Sequence, residues 1–409
     1  MAYQNQTEAV VAIKAQSAKG TQATGGSGTV VRLIGGSGIG FGKNPVESQE
    51  VRRDAQNTRG RHGMQTLTAA YDTELTLGGA HDLILPALFR SSWGTADLAV
   101  TSGDFTTTTT TTSTIVFASG SPISLGFRVG DVIRCSGLTA TANNSRNLRI
   151  TGLSATTITV AETLTLDASA DSGGTITRPG RVCTNPAAGS LAQTYFTLDE
   201  HEYTVDGSRV ATDFIWGSAT YSMTPNGLVM FNPSGIGTGA FEALTGASAP
   251  LLTSPTATTG SPMACVDATL RLGSTDEVAI TAFDIGIDIT PSAPEVVASN
   301  VSPDVFPGTF QVNMNITMLR EDMAEIAAYV DETVLSFHAL FIENETAPED
   351  FVSLYVPNFT LGGVDLSALS KAGGGRTQTL SIPAGLVGID ETGGAYDATT
   401  LKVQTSTSS

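Results

Sequence analysis

The sequence is poor in the side chains that most chemistry needs. Charged residues make up 15% and aromatics 6% of the 409 residues, with only four His, three Cys and two Trp. Cys135, Cys183 and Cys265 are odd in number, far apart and without a CxxC spacing. That argues against a disulfide framework or a zinc site and fits a reducing compartment. No window approaches the ~18 apolar residues of a membrane span, so no membrane insertion is expected. The opening MAYQNQTEAVVAIKAQ lacks the charged start and apolar run of a signal peptide, so synthesis and folding in a cytoplasm are expected.

Motifs for catalysis are also wanting. His62, His81, His201 and His338 are scattered, with no HExxH and no GxSxG elbow. A glycan hydrolase needs a carboxylate pair among sugar-stacking aromatics, but neither Trp93 nor Trp216 has an acidic pair beside it. GGSGIGFGK (35–43) fails as a phosphate loop: Ser37 stands where the first Gly belongs, and Asn44 follows the Lys. Flexibility is the expected reason for its glycines. In DASADS (167–172), Asp167, Ser169 and Asp171 have calcium-loop spacing, but Ser172 replaces the loop's Gly and Arg178 its final Glu. A polar turn is expected there, and no enzyme, cofactor or metal anywhere.

What the chain does have is 44 Gly, abundant Thr and Ser, and 40% hydrophobic residues, the composition of a folded, turn-rich β protein. Its net charge of -18 should repel nucleic acid and anionic membranes. The charge is uneven. Residues 1–70 hold eight Lys/Arg and four Asp/Glu (+4), leaving thirteen and thirty-five (-22) for the rest. Either a basic arm docks on a neighbour's acidic body, or basic residues have clustered by chance in a solvated loop.

Strands are expected at 8–16, 28–34 and 70–77, and a short helix at 79–92 that carries Leu83, Leu85, Leu88 and Phe89. Residues 35–63 read as a long, polar loop, of the kind that is functional or disordered. Residues 97–182 differ in texture. After a Thr run (Thr106 to Thr112) come short β segments, read as a small inserted β domain in a core made of 1–96 and 183–409. Strands resume over 190–231, and a flexible loop is expected at 232–262. In 278–290, Phe283, Ile285, Ile287 and Ile289 alternate with Asp284, Gly286 and Asp288. In 309–319, Phe310, Val312, Met314 and Ile316 alternate with Gln311, Asn313, Asn315 and Thr317. Strict period two means a sheet with one buried and one wet face. The wet face, without Lys or Arg, suits either the lining of a channel for a polyanion or an ordinary exposed surface. EDMAEIAAYVDET (321–333) reads as an amphipathic helix packed through Met323, Ile326, Ala327 and Val330. Strands at 351–356, 376–382 and 400–405 complete the pattern.

Four stretches in order carry a family likeness: ELTLGGAHDLILPALFRSSWG (74–94), SLGFRVGDVIRCSGLTATANNSRNLRITGLSATTITV (124–160), YFTLDEHEY with the strands that follow it (195–237), and TTLKVQTS (399–406). In this the chain resembles the major tail tube proteins of siphophages and their relatives in gene transfer agents. The resemblance implies a mainly β fold of two packed antiparallel sheets with a flanking α-helix, and hexameric rings whose inner strands join into one β-barrel lumen. It implies stacking through a loop, here 35–69, with Lys43, Arg52, Arg53, Arg59 and Arg61 as its contacts. Asp284, Asp288, Gln311, Asn313 and Asn315 would face the lumen, where viral DNA passes without specific binding. The other partners implied are tape measure, tail terminator and baseplate proteins, in a virion tail assembled in the host cytoplasm. The insertion at 97–182, larger than in minimal members, would lie outside the tube as a collar or glycan-binding module. No C-terminal immunoglobulin-like domain is visible. The alternatives are another tail or baseplate component, or a host-surface adhesin.

Overall fold

The computed structural model describes residues 3–101, 103–104, 108–344, 346–369, 371, 373–389 and 393–407. Thr106 and Thr107, which open the Thr run, lie outside the described residues, as does the side chain of Ser169.

The chain is mainly β, built on two packed antiparallel sheets. The larger sheet runs, edge to edge on one half, through Leu33–Val46, Arg61–Glu74, Met230–Gly237, Gly207–Met223, Ile280–Asp288, Gln311–Leu319, Thr377–Ile382 and Gly363–Leu366. Gly207–Met223 is long enough to serve two neighbourhoods. Its first half pairs with Phe196–Glu202 and Phe241–Thr245, its second with Met230–Gly237 and Ile280–Asp288. The second sheet orders Arg181–Cys183, Lys402–Thr405, Phe351–Phe359, Leu335–Ile342 and Thr269–Leu272.

The two sheets meet because each offers the apolar half of an alternating strand. Phe283, Ile285, Ile287, Val312, Met314 and Ile316 are buried in one core with Phe337, Phe341, Leu354 and Val403 of the second sheet. The ring centroid of Phe283 lies 5.5 Å from that of Phe337 and 6.0 Å from that of Phe341. Each such aromatic contributes about 1.5–3 kcal/mol by leaving water. Further along, helix α1 (Ala80–Phe89) fills the same inner layer through Ile84, Leu85, Leu88 and Phe89. His81 Nε2 meets the buried Tyr221 hydroxyl at 2.8 Å.

The strands from Leu98–Val100 to Thr175–Arg178 pair only among themselves and bury their own core, including Ile115, Phe127, Ile133, Ile150 and Ile158. This inserted segment is seated on the outer side of the second sheet. Tyr355 of that sheet enters the segment's core. A Cβ on Gly130, at φ +83°, would lie 2.1 Å from the Tyr355 ring, so the backbone there is pressed flat against it. The Gln404 side chain accepts from Val132 N–H (2.8 Å) and donates to Val132 C=O (2.9 Å), like an added rung of β-ladder. Lys402, 1% exposed, reaches Asp131, 0% exposed, at 2.6 Å.

Four expectations from the sequence are corrected. Residues 35–63 are not a loop throughout: Leu33–Val46 and Arg61–Glu74 form a long antiparallel hairpin with its tip at 47–60. The glycines there serve close approach more than flexibility. Gly36 sits at φ +120°, and a Cβ on it would lie 2.6 Å from Ala70 C=O. The flexible loop of 232–262 contains the strands Met230–Gly237 and Phe241–Thr245. Pro233, Gly235 and Gly237 occupy its inward positions, so the hydrophobic alternation is muted. The helix at 321–333 shrinks to α2 (Ala324–Val330) and buries no residue. A helix this short gains little from its own hydrogen bonds, and no sheet lies over its Met323–Val330 side. The polar turn at 167–172 is mostly an edge strand, Asp167–Asp171, whose Asp171 accepts from Thr139 N–H at 3.1 Å.

Candidate functional site

The outward side of the larger sheet is a broad polar surface, with the apolar Met230, Ile236 and Leu319 near its margins. Antiparallel pairing puts opposite residues on the same face, so the register reads it directly. Asp284 stands between Ser222 and Asn315, Gly286 between Thr220 and Asn313, and Asp288 between Ser218 and Gln311. Beyond them, Asn315 pairs with Ser381 and Thr317 with Thr379 on one side; Ser218 pairs with Ser234 and Thr220 with Asn232 on the other. Neighbouring hydroxyls join, with Ser218 and Ser234 Oγ 2.7 Å apart and Thr317 and Thr379 Oγ1 3.1 Å apart. Such rungs fix short side chains flat on the sheet.

This face carries acids and no cations. Asp72, Glu74, Asp284, Asp288 and Asp365 belong to it, while residues 66–74, 218–222, 230–236, 280–288, 311–319, 363–366 and 377–382 contain no Lys or Arg. The nearest counter-charge lies at the margin, where Arg32 approaches Glu74 at 3.7 Å. Partial burial raises the Asp284 carboxyl above its usual range. Asp288 Oδ1 accepts from Thr290 N–H at 2.5 Å, which holds its carboxylate at the strand's end. The five face residues expected from alternation, Asp284, Asp288, Gln311, Asn313 and Asn315, thus lie together on neighbouring strands. Ser218, Thr220, Ser222, Asn232 and Ser234 share the face and were not foreseen. The signal for the first three is the same period two in GSATYSM, where Ala219, Tyr221 and Met223 point inward.

The basic residues of the hairpin divide between shaft and tip. Lys43 and Arg61 sit on the shaft, near the Val46–Arg61 rung. Lys43 Nζ lies 5.7 Å from the Phe41 ring, which stacks on Phe241 at 4.5 Å and ties the shaft to its neighbours. Farther back, Ile39 N–H donates to Glu200 at 3.0 Å and Ile39 C=O accepts from Arg209 at 3.2 Å. Arg52, Arg53 and Arg59 are exposed at the tip. Arg52 is held bidentate by Asp54 at 2.8 and 3.0 Å, which raises its own pKa and lowers that of Asp54. Asp54 was missed as the partner of Arg52.

Among the other titratable groups singled out in the sequence, His62 is exposed on the hairpin, while His201 and His338 form buried structural pairs. His338 Nε2 lies 2.7 Å from Ser353 Oγ between adjacent strands, and His201 Nδ1 lies 3.1 Å from Ser208 Oγ. Cys135, Cys183 and Cys265 are free and buried, and burial pushes the Cys135 and Cys183 thiols up to about 12. No group of three or more potential metal ligands occurs among the described residues, and no described helix is long and apolar enough to cross a membrane.

Compared with known families, residues 6–384 match the family model described as phage tail tube protein. No curated protein matches the chain.

Proposed function

Since the chain belongs to the phage tail tube protein family, we propose that it is the major tail tube subunit of a siphophage, with hexameric rings stacking into a DNA-conducting tube. The role is structural, not enzymatic, and its place is the virion tail, assembled in the host cytoplasm. Tape measure, tail terminator and baseplate proteins are the partners this role brings.

One observation carries the reading: a wide sheet face of small polar and acidic side chains without a cation, backed by a packed core. DNA binds proteins chiefly by neutralising its phosphates with Lys and Arg. A wall made mainly of hydroxyls, amides and carboxylates, without a cation, lets the polyanion slide and gives its phosphates nothing to hold. The layering supports the same orientation. Behind the polar face come the core, then the second sheet, then the inserted segment on the far side. With the face toward the lumen, residues 97–182 form an inserted domain on the tube's exterior, leaving 1–96 and 183–409 as the core domain.

Negative-stain electron microscopy of concentrated purified protein tests this. Hollow tubes or hexameric rings are the expected outcome. A persistent monomer, even in the presence of preformed tail tips that could initiate assembly, overturns the tube reading.

A further inference from the structure

The larger sheet has a polarity that the pairing register makes explicit. The hairpin's tip lies beyond the Leu67–Gly237 rung, and Phe214, Asp288 and Gln311 occupy that end of their strands. Following the register to the other end leads past Met230 and Phe283 to Met318, Leu319 and Thr377. Helix α2 follows Leu319 directly, so it sits at the end opposite the hairpin tip.

That opposite end is an uncovered surface. Met323 and Val330 on α2 are 61% and 71% exposed, and the adjoining Val278 is 96% exposed. Around them stand Glu277, Glu321, Asp322, Glu325, Asp331 and Glu332, six acids beside Arg320, which donates to Asp322 C=O at 3.3 Å and reaches Met323 Sδ at 2.6 Å. No ion pair joins Glu277, Glu321, Asp322 or Glu325 to a cation among the described residues. Arg271, the cation nearest in sequence to Glu277, is engaged by Asp276 at 3.0 Å. Burial and the neighbouring acids, Glu325 first among them, raise the Glu277 carboxyl, as expected where like charges gather.

The hairpin offers the complementary surface. Residues 35–69 carry five cations against three acids, a net of +2, and expose Val46 and, at 97%, Val51. A basic-apolar projection at one end and an acidic-apolar surface at the other make a head-to-tail interface between copies, which repeats without closing on itself.

We propose that the surface around α2 is the receptor for the hairpin tip of the next copy along the tube axis. The assignment rests on the tube-subunit reading and adds to it where the arm lands. Val51 covers the Met323–Val330 side, and Arg53, Arg59 and Arg61 neutralise the acids around it. Arg52 stays bound to its own Asp54.

The test uses full-length protein and two charge reversals, on exposed side chains except for the half-buried Glu277. The receptor variant is Glu277→Lys, Glu321→Lys and Glu332→Lys; the arm variant is Arg53→Glu, Arg59→Glu and Arg61→Glu. Each alone should raise the protein concentration needed for tubes at least about tenfold, because like charges then face each other. An equimolar mixture should restore tubes, since each variant's arm then meets an opposite charge on the other's receptor. Folding of each variant is checked by circular dichroism. A receptor variant that forms tubes at the wild-type concentration overturns this assignment and leaves the tube reading standing. So does a mixture that fails to recover. Wild-type protein that forms neither rings nor tubes overturns both.

Discussion

Replacing Lys402 with Met should loosen residues 97–182 from the second sheet more than any change on the surface. Lys402 Nζ lies 2.6 Å from Asp131 and 2.6 Å from Asp397, and the side chains of Lys402 and Asp131 are 1% and 0% exposed. Met fills much of the lysine's volume but leaves the Asp131 carboxylate in a dry interface. Removing one partner of a buried pair ordinarily costs about 3–5 kcal/mol, most of it the desolvation of the charge left behind. Asp131 keeps Arg178 at 3.7 Å and the Arg128 N–H at 2.8 Å, so the lower end, about 3 kcal/mol, is expected here. Adding Asp131→Asn removes the stranded charge and keeps an acceptor for that N–H. The double variant should therefore recover about half of the loss. Urea denaturation of the unassembled protein, read by Trp93 and Trp216 fluorescence, gives both numbers. A loss below about 1 kcal/mol for Lys402→Met, or a double variant no better than the single one, refutes the claim that burial of this pair seats residues 97–182 on the second sheet.

Other consequences follow from particular side chains. Asn313→Lys with Asn315→Lys should leave stability within about 0.5 kcal/mol, since both are exposed. Tubes of that variant should retain short DNA duplexes at low salt and release them as salt rises; failure to retain them argues that this face is not the lumen. Burial, with Arg149, Lys402 and Arg271 nearby, holds His338 well below its usual pKa. The unfolded chain therefore takes up a proton near pH ~6.5 that the folded chain refuses, and stability falls below that pH by up to ~1.4 kcal/mol per unit. His338→Gln should remove this component, visible as a shallower change in urea midpoint between pH 7 and 5 than in the wild type. Gly36→Val places a branched side chain at φ +120° against Ala70 C=O, and should free the hairpin for proteolysis at its base. Equal cleavage rates in variant and wild type would show that the strand tolerates a Cβ there.

How legible was the face and how opaque the arm follows from side-chain size. In Ile280–Asp288 and Gln311–Leu319, large apolar residues alternate with small polar ones, so local sequence alone states which residues share a side. In Leu33–Val46 the same period is written in glycine and serine, with Ile39 the one buried apolar residue. Nothing local marks it as strand. It forms because Arg61–Glu74 offers a ladder, Thr66 and Thr68 need the space that Gly42 and Gly40 leave, and Glu200 and Arg209 hold its main chain. Helix α2 shows the opposite failure: its apolar period is genuine, but only Ile326 and Ala328 find partial cover within the subunit, while Met323 and Val330 stay exposed.

By itself the sequence determined a mainly β fold, the two-sided character of its central strands, the separate texture of residues 97–182 and the likeness to tail tube proteins. Each of these is written in local alternation, composition or motif order. Only the tertiary structure decided that the polar strands adjoin across so many neighbours, that the basic loop is a hairpin, that residues 97–182 are seated by a buried Lys402–Asp131 pair, and that the hairpin tip and α2 lie at opposite ends. Those are matters of register and of contacts between residues hundreds of positions apart, and such contacts exist only once the two sheets have closed on their common core.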